Sequence, residues 1–60
     1  MSRLLLVDDN DGVRLAMSAV LEDEGYLVDT AASFAEGSRK IELAEAPYRA
    51  ALLDRHLPDR

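Results

Sequence analysis

Three aspartates carry the chemical interest of this chain. Asp8 and Asp9 follow the apolar run Leu4-Leu5-Leu6-Val7, and Asp54 follows the run Ala50-Ala51-Leu52-Leu53. If the two runs are neighbouring strands, the three carboxylates converge on one spot. Two like charges about 4 Å apart repel by roughly 4 kcal/mol at an effective dielectric of about 20, so such a cluster needs a compensating cation. Oxygen-only ligands select Mg²⁺, Mn²⁺ or Ca²⁺ over zinc, and Mg²⁺ keeps waters while readily accepting a phosphate oxygen. A carboxylate beside it can attack phosphorus and form an aspartyl phosphate, with the metal neutralising the charge that develops. A plainer account covers part of the set, because Asp8, Asp9 and Asn10 serve equally well as the cap of a following helix.

The elements that must position these residues are legible as alternating patterns. Leu4 to Val7 is a short apolar run of the kind buried on both faces of a parallel sheet. Val13, Ala16, Met17, Val20 and Leu21 follow the spacing of an amphipathic helix and are expected in the core. Gly25 sits just past that helix, as a left-handed C′ residue does. Tyr26 to Thr30 reads as a second strand, nearer an edge because it is more polar. Ala31 and Ala32 read as connectors. Ser33 precedes a second helix, with Glu36 completing a possible capping box. Phe34, Ile41 and Ala44 mark its apolar side, Gly37 weakens it by roughly 1 kcal/mol relative to Ala, and Pro47 ends it. Ala50 to Leu53 reads as a third strand of the buried type. The tail from Arg55 to Arg60 is a loop with a proline turn signal. The order is βαβαβ, which requires parallel strands and right-handed connections. An α/β sheet of this kind carries ligands outside the carboxyl ends of its strands, where Asp8, Asp9 and Asp54 fall.

Composition narrows the class. The chain has sixty residues, with seven Lys and Arg against twelve Asp and Glu, a net charge of −5. That balance argues against direct nucleic-acid binding. There is no cysteine, which excludes a disulfide scaffold and thiolate metal sites. No apolar run approaches membrane-spanning length, and no secretory signal is visible. A cytoplasmic protein with no membrane association is expected. A sixty-residue domain buries only about 60% of its unfolded surface and is marginally stable.

The run Leu4-Leu5-Leu6-Val7-Asp8-Asp9-Asn10, the segment Gly25-Tyr26-Leu27-Val28, and Leu52-Leu53-Asp54-Arg55-His56-Leu57-Pro58-Asp59 together resemble the receiver domain of bacterial two-component response regulators. The resemblance covers essentially all of this chain and the N-terminal half of that domain. It implies half of a flavodoxin-like doubly wound parallel sheet, in the order 2-1-3, as a single truncated domain over residues 1–60. It implies a regulatory phosphoacceptor, not a turnover enzyme. Asp54 would receive a phosphoryl group from a histidine kinase. Asp9 would ligate Mg²⁺ directly, Asp8 would act mainly through the metal's waters, and His56 would offer its backbone carbonyl. Pro58 would shape the loop below the site. In a complete regulator, phosphorylation controls an attached output, often DNA binding.

Two departures from the family pattern matter. Arg55 stands where the family usually has an apolar residue. The later Thr or Ser and the Lys that contact the phosphoryl group have no counterpart in this sequence, so impaired phosphoryl transfer is expected. The third strand would be an apolar edge, which templates association. A homodimer or higher homo-oligomer is therefore expected, through paired third strands or exchanged elements. A self-assembling half-domain without chemistry is the alternative. A rival enzyme reading comes from Asp9-Asn10-Asp11-Gly12-Val13, which looks like the start of haloacid-dehalogenase-type phosphatases. There Asp9 would be the nucleophile and Asp11 the general acid, but Asp54 would have no role. An EF-hand loop fails, because its first ligand position falls on Val7.

Overall fold

The structure is a computed structural model that describes residues 2–54, with Asp54 described by its backbone alone. Five elements follow the expected order: β1 (Arg3–Asp8), α1 (Asp11–Asp23), β2 (Leu27–Ala31), α2 (Phe34–Leu43) and β3 (Ala50–Asp54). The sheet is parallel with strand order β2-β1-β3, as expected of half a flavodoxin-like sheet. No helix among the described residues is long and apolar enough to cross a membrane.

β1 is central because it alone is apolar enough to be covered on all sides. Leu4, Leu5, Leu6 and Val7 are all buried. Side chains alternate across a strand, so Leu5 and Val7 share one face while Leu4, Leu6 and Asp8 share the other. Leu5, Val7 and Ala31 form the core on the first face, with Tyr48 packed against them. Gly37 of α2 belongs to the same face: a β-carbon there would lie 2.8 Å from Val7 Cγ2 and 3.8 Å from Leu5 Cδ2. The two helices make no close approach to each other, and α1 contacts β1 and β2. The buried Leu4 and Leu6 therefore lie on the face that α1 covers.

The helix ends follow local chemistry. Asn10 is the N-cap of α1, its side chain accepting from the Val13 N–H at 2.9 Å. At the other end Gly25 takes φ +101°. The Gly25 N–H donates to the Glu22 carbonyl at 3.0 Å and the Tyr26 N–H to that of Leu21 at 3.2 Å. This is a Schellman closure, and only glycine enters it without strain. Ser33 caps α2 through the Glu36 N–H at 3.2 Å, and the Glu36 carboxylate accepts from the Ala32 N–H at 3.0 Å. The reciprocal bond thus reaches one residue ahead of the expected capping box.

Several expectations are corrected. Ala31 is not a connector; it closes β2 and is buried. α2 ends at Leu43, before Pro47, because Ala44 is already extended at ψ 131°. No residue of α1 is fully buried. Val13, Met17 and Leu21 are half-buried, whereas Ala16 and Val20 are exposed. A helix lying on two strands covers its partner with one narrow line of positions four apart. On α2, Phe34 and Ile41 are likewise more than half exposed, because the contact with the sheet runs through Gly37. The apolar run of β3 is not buried, with Ala50, Ala51 and Leu53 exposed; the strand lies at the edge of the described sheet, as expected.

Candidate metal centre at the carboxyl ends of β1 and β3

The parallel register pairs Asp8 with Asp54. Adjacent strands lie about 4.8 Å apart, so the two expected carboxylate positions end neighbouring strands at the same level. Asp9 follows immediately in the bend between β1 and α1 and is exposed. Alternation explains the difference between the two acids. Asp8 is the last residue of β1 and is fully buried, while Asp9 has left the strand. His56 lies outside the described residues, as do Arg55, Pro58 and Asp59.

Asp8 is held by the turn that follows it. Its Oδ1 accepts from the Asn10 N–H at 2.9 Å. Its carbonyl accepts from Arg14 Nη1 at 2.7 Å. Arg14 Nη2 in turn donates to Asp11 Oδ1 at 2.5 Å. The guanidinium is mostly buried, at 17% exposure. It ties the end of β1 to the first turn of α1 and places a cation among the acids. The sequence reading missed Arg14. Its signal was the spacing of three residues from Asp11, which sets the two on one helix face.

Among the described residues, no three His, Asp or Glu side chains gather into a set that could hold a metal ion. The expected trio of Asp8, Asp9 and Asp54 includes one position described by its backbone alone. The donor chemistry nevertheless fits the group the resemblance implies. A buried carboxylate, an exposed carboxylate and a third acid at the paired position supply only oxygen, which suits a hard divalent cation.

A second polar cluster sits at the opposite end of the sheet. The Tyr48 hydroxyl donates to Asp29 Oδ2 at 2.6 Å, and Arg3 Nη1 lies 3.7 Å from the same oxygen. The Asp29 carboxylate, by accepting this bond, pushes the Tyr48 hydroxyl above its usual pKa of 10.0, with burial acting in the same direction. Glu36 moves the other way. The Ala32 N–H donated to its carboxylate, with nearby Lys40, holds it below the usual 4.5. An open groove of about 1100 Å³ lies beside Arg3, Asp29, Lys40, Tyr48 and Arg49. It opens at the amino edge of the sheet, away from the aspartates.

No protein-family model, curated protein or solved structure matches the chain.

Proposed function

We propose that this chain is a phosphoacceptor module of the receiver type, taking a phosphoryl group from a histidine kinase onto Asp54. The observation that supports this most is the Asp8–Asp54 register at the carboxyl edge of a parallel sheet, where α/β folds bind ligands. The roles come from the resemblance. Asp54 is the nucleophile. By the resemblance, Asp9 and Asp54 would hold Mg²⁺ directly, Asp8 would act through its waters, and His56 would offer its backbone carbonyl. When bound, Mg²⁺ supplies positive charge to the transferring phosphoryl oxygens. The protein's part is positional. The Asn10 N–H fixes the Asp8 carboxylate, and Arg14 fixes the strand–helix turn that carries Asp9. In the transfer, an Asp54 carboxylate oxygen forms a bond to phosphorus. The bond from phosphorus to the donor's imidazole nitrogen breaks, and that nitrogen keeps the electron pair.

The test is intact-mass spectrometry of the chain incubated with acetyl phosphate and Mg²⁺, followed by peptide mapping. One phosphoryl adduct on Asp54, abolished in Asp54→Asn and by chelation of Mg²⁺, is expected. An adduct that persists in Asp54→Asn refutes the role of Asp54, and one on Asp9 points to the phosphatase-type reading. No adduct on any residue means that the chain has no acceptor chemistry of its own.

A further inference from the structure

The side chains of β3 do little to fix where the strand lies along β1. Ala50, Ala51, Leu52 and Leu53 are apolar on both faces, and a strand without a polar face specifies its register weakly. The connection before it, from Ala44 to Arg49, contains neither helix nor strand. Yet the register decides the candidate site, because Asp8 is level with Asp54. A slip of one residue would set Leu53 level with Asp8 and turn Asp54 to the opposite face of the sheet. The Arg49 N–H donates to the Arg3 carbonyl at 2.8 Å, but that bond belongs to the β1–β3 ladder and would slip with it. The Tyr48 hydroxyl is different. Its ring packs against Leu5, Val7 and Ala31, and it donates to Asp29 Oδ2 at 2.6 Å. Asp29 lies in β2, level with Leu5 of β1, so this bond holds the approach to β3 against a strand that β3 does not pair with. Sliding by one residue moves β3 about 3.3 Å, more than a bond of that length can absorb.

We infer that the Tyr48–Asp29 hydrogen bond sets the register of β3, and that Tyr48 is thereby a positioning residue for Asp54 at the far end of the strand. The positioning role rests on the phosphoacceptor reading; the register does not. Tyr48 and Asp54 are six residues apart, about 20 Å along an extended strand, so the tyrosine acts only through the placement of β3. The bond suits the task. A hydrogen bond to a carboxylate is short, directional and roughly twice as strong as one between neutral groups. Arg3 Nη1 lies 3.7 Å from the same Asp29 oxygen. Residues of β1, of β2 and of the approach to β3 therefore meet at one atom. Without the bond, β1 and β2 stay paired and the helices stay in place. β3 then exchanges among registers, in only one of which Asp54 lies beside Asp8.

The experiment reads register and chemistry separately. Isotope-labelled native chain, Asp29→Asn, Asp29→Ala and Tyr48→Phe are compared by NMR for contacts between β1 and β3. The same four are compared for the rate at which acetyl phosphate with Mg²⁺ labels Asp54. Asparagine keeps an acceptor for the Tyr48 hydroxyl, alanine removes it, and both discard the charge that faces Arg3. Asp29→Asn should hold the native register, with contacts of Leu6 to Leu52 and Val7 to Leu53, and label within about twofold of the native rate. Asp29→Ala should raise the ratio of slipped to native β3 about tenfold or more, seen as a second set of resonances over residues 50–54. Its labelling of Asp54 should fall in proportion to the share left in the native register, while the β1–β2 contacts persist. Tyr48→Phe, which keeps the ring, should behave as Asp29→Ala does. Native register in either Asp29→Ala or Tyr48→Phe overturns the inference, even where the urea midpoint falls. So does equal loss of register in Asp29→Asn and Asp29→Ala. If one of the bond-deleting variants unfolds, the other decides; if both unfold, the bond supports the whole fold and the inference fails. A native chain that takes no phosphoryl group removes the positioning role together with the phosphoacceptor reading, and the NMR comparison still decides the register.

Discussion

Asp29 accepts a hydrogen bond from Tyr48 while lying near Arg3, so one carboxylate ties the start of β1 to the approach to β3. Phenolate beside that carboxylate would be doubly unfavourable, because the hydrogen bond is lost and two negative charges meet. The folded-state pKa of Tyr48 is therefore above its unfolded value. The stability this confers is fully present below pH 10.0 and is lost as pH rises through the folded value. Tyr26 is the only other tyrosine, so Tyr26→Phe isolates the signal. Ultraviolet titration of that variant should show ionisation above pH 10.0, and adding Asp29→Asn should move it back toward the usual value. A transition that ignores Asp29→Asn would mean the bond does not set the titration. Glu36 obeys the opposite sign. Its lowered pKa lends stability above about pH 4.5 that fades as pH falls.

At the scale of elements, Gly37 shows how a sequence penalty becomes a packing requirement. Glycine inside a helix costs roughly 1 kcal/mol relative to Ala, so propensity alone favours Gly37→Ala. The structure reverses the sign. The added methyl would meet Val7 Cγ2 at 2.8 Å, and a short β-branched side chain has little room to yield. Gly37→Ala should destabilise the fold by about 1–3 kcal/mol, read as a lower urea midpoint with unchanged slope. A raised midpoint would show that α2 can lift off the sheet at little cost.

The same residue marks the limit of what the pattern conveys. The strands were legible because their apolar runs are continuous and bounded by turn residues, and Gly25 and Ser33 fixed the helix ends through local chemistry. The exposure of Ala16, Val20, Phe34 and Ile41 was not legible, because periodicity identifies an apolar face and not the width of the surface it meets. At the candidate site, the residues alone gave the convergence of positions 8 and 54 only if the first and third strands are neighbours; that order came from the resemblance, and the register shows it. The strap through Arg14 did not, since an arginine in a helix's first turn opposes the helix dipole and reads as an ordinary solvated charge.

On the scale of the whole molecule, pairing of two chains through β3 would couple folding to concentration. If two chains share the β3 edge, unfolding releases two chains from one dimer and the midpoint depends on mass action. Each tenfold rise in chain concentration should raise the thermal midpoint by about 5 °C, from the usual entropy of unfolding per residue. Circular dichroism melts from 2 to 200 µM would reveal this. A midpoint constant across that range would mean that the folded unit is one chain.

The central place of β1 also governs the order in which the chain can mature. β1 leaves the ribosome before both of its hydrogen-bonding partners. Leu27 to Ala31 supply one side, and Ala50 to Asp54, at the far end of the described chain, supply the other. Until both have emerged, Leu4-Leu5-Leu6-Val7 remains an unpaired apolar strand. Pairings this distant in sequence form slowly, because loop closure precedes any reward from contact. The most deeply buried segment among the described residues is thus one that waits, exposed, for partners synthesised after it, and so one that a nascent-chain chaperone can meet.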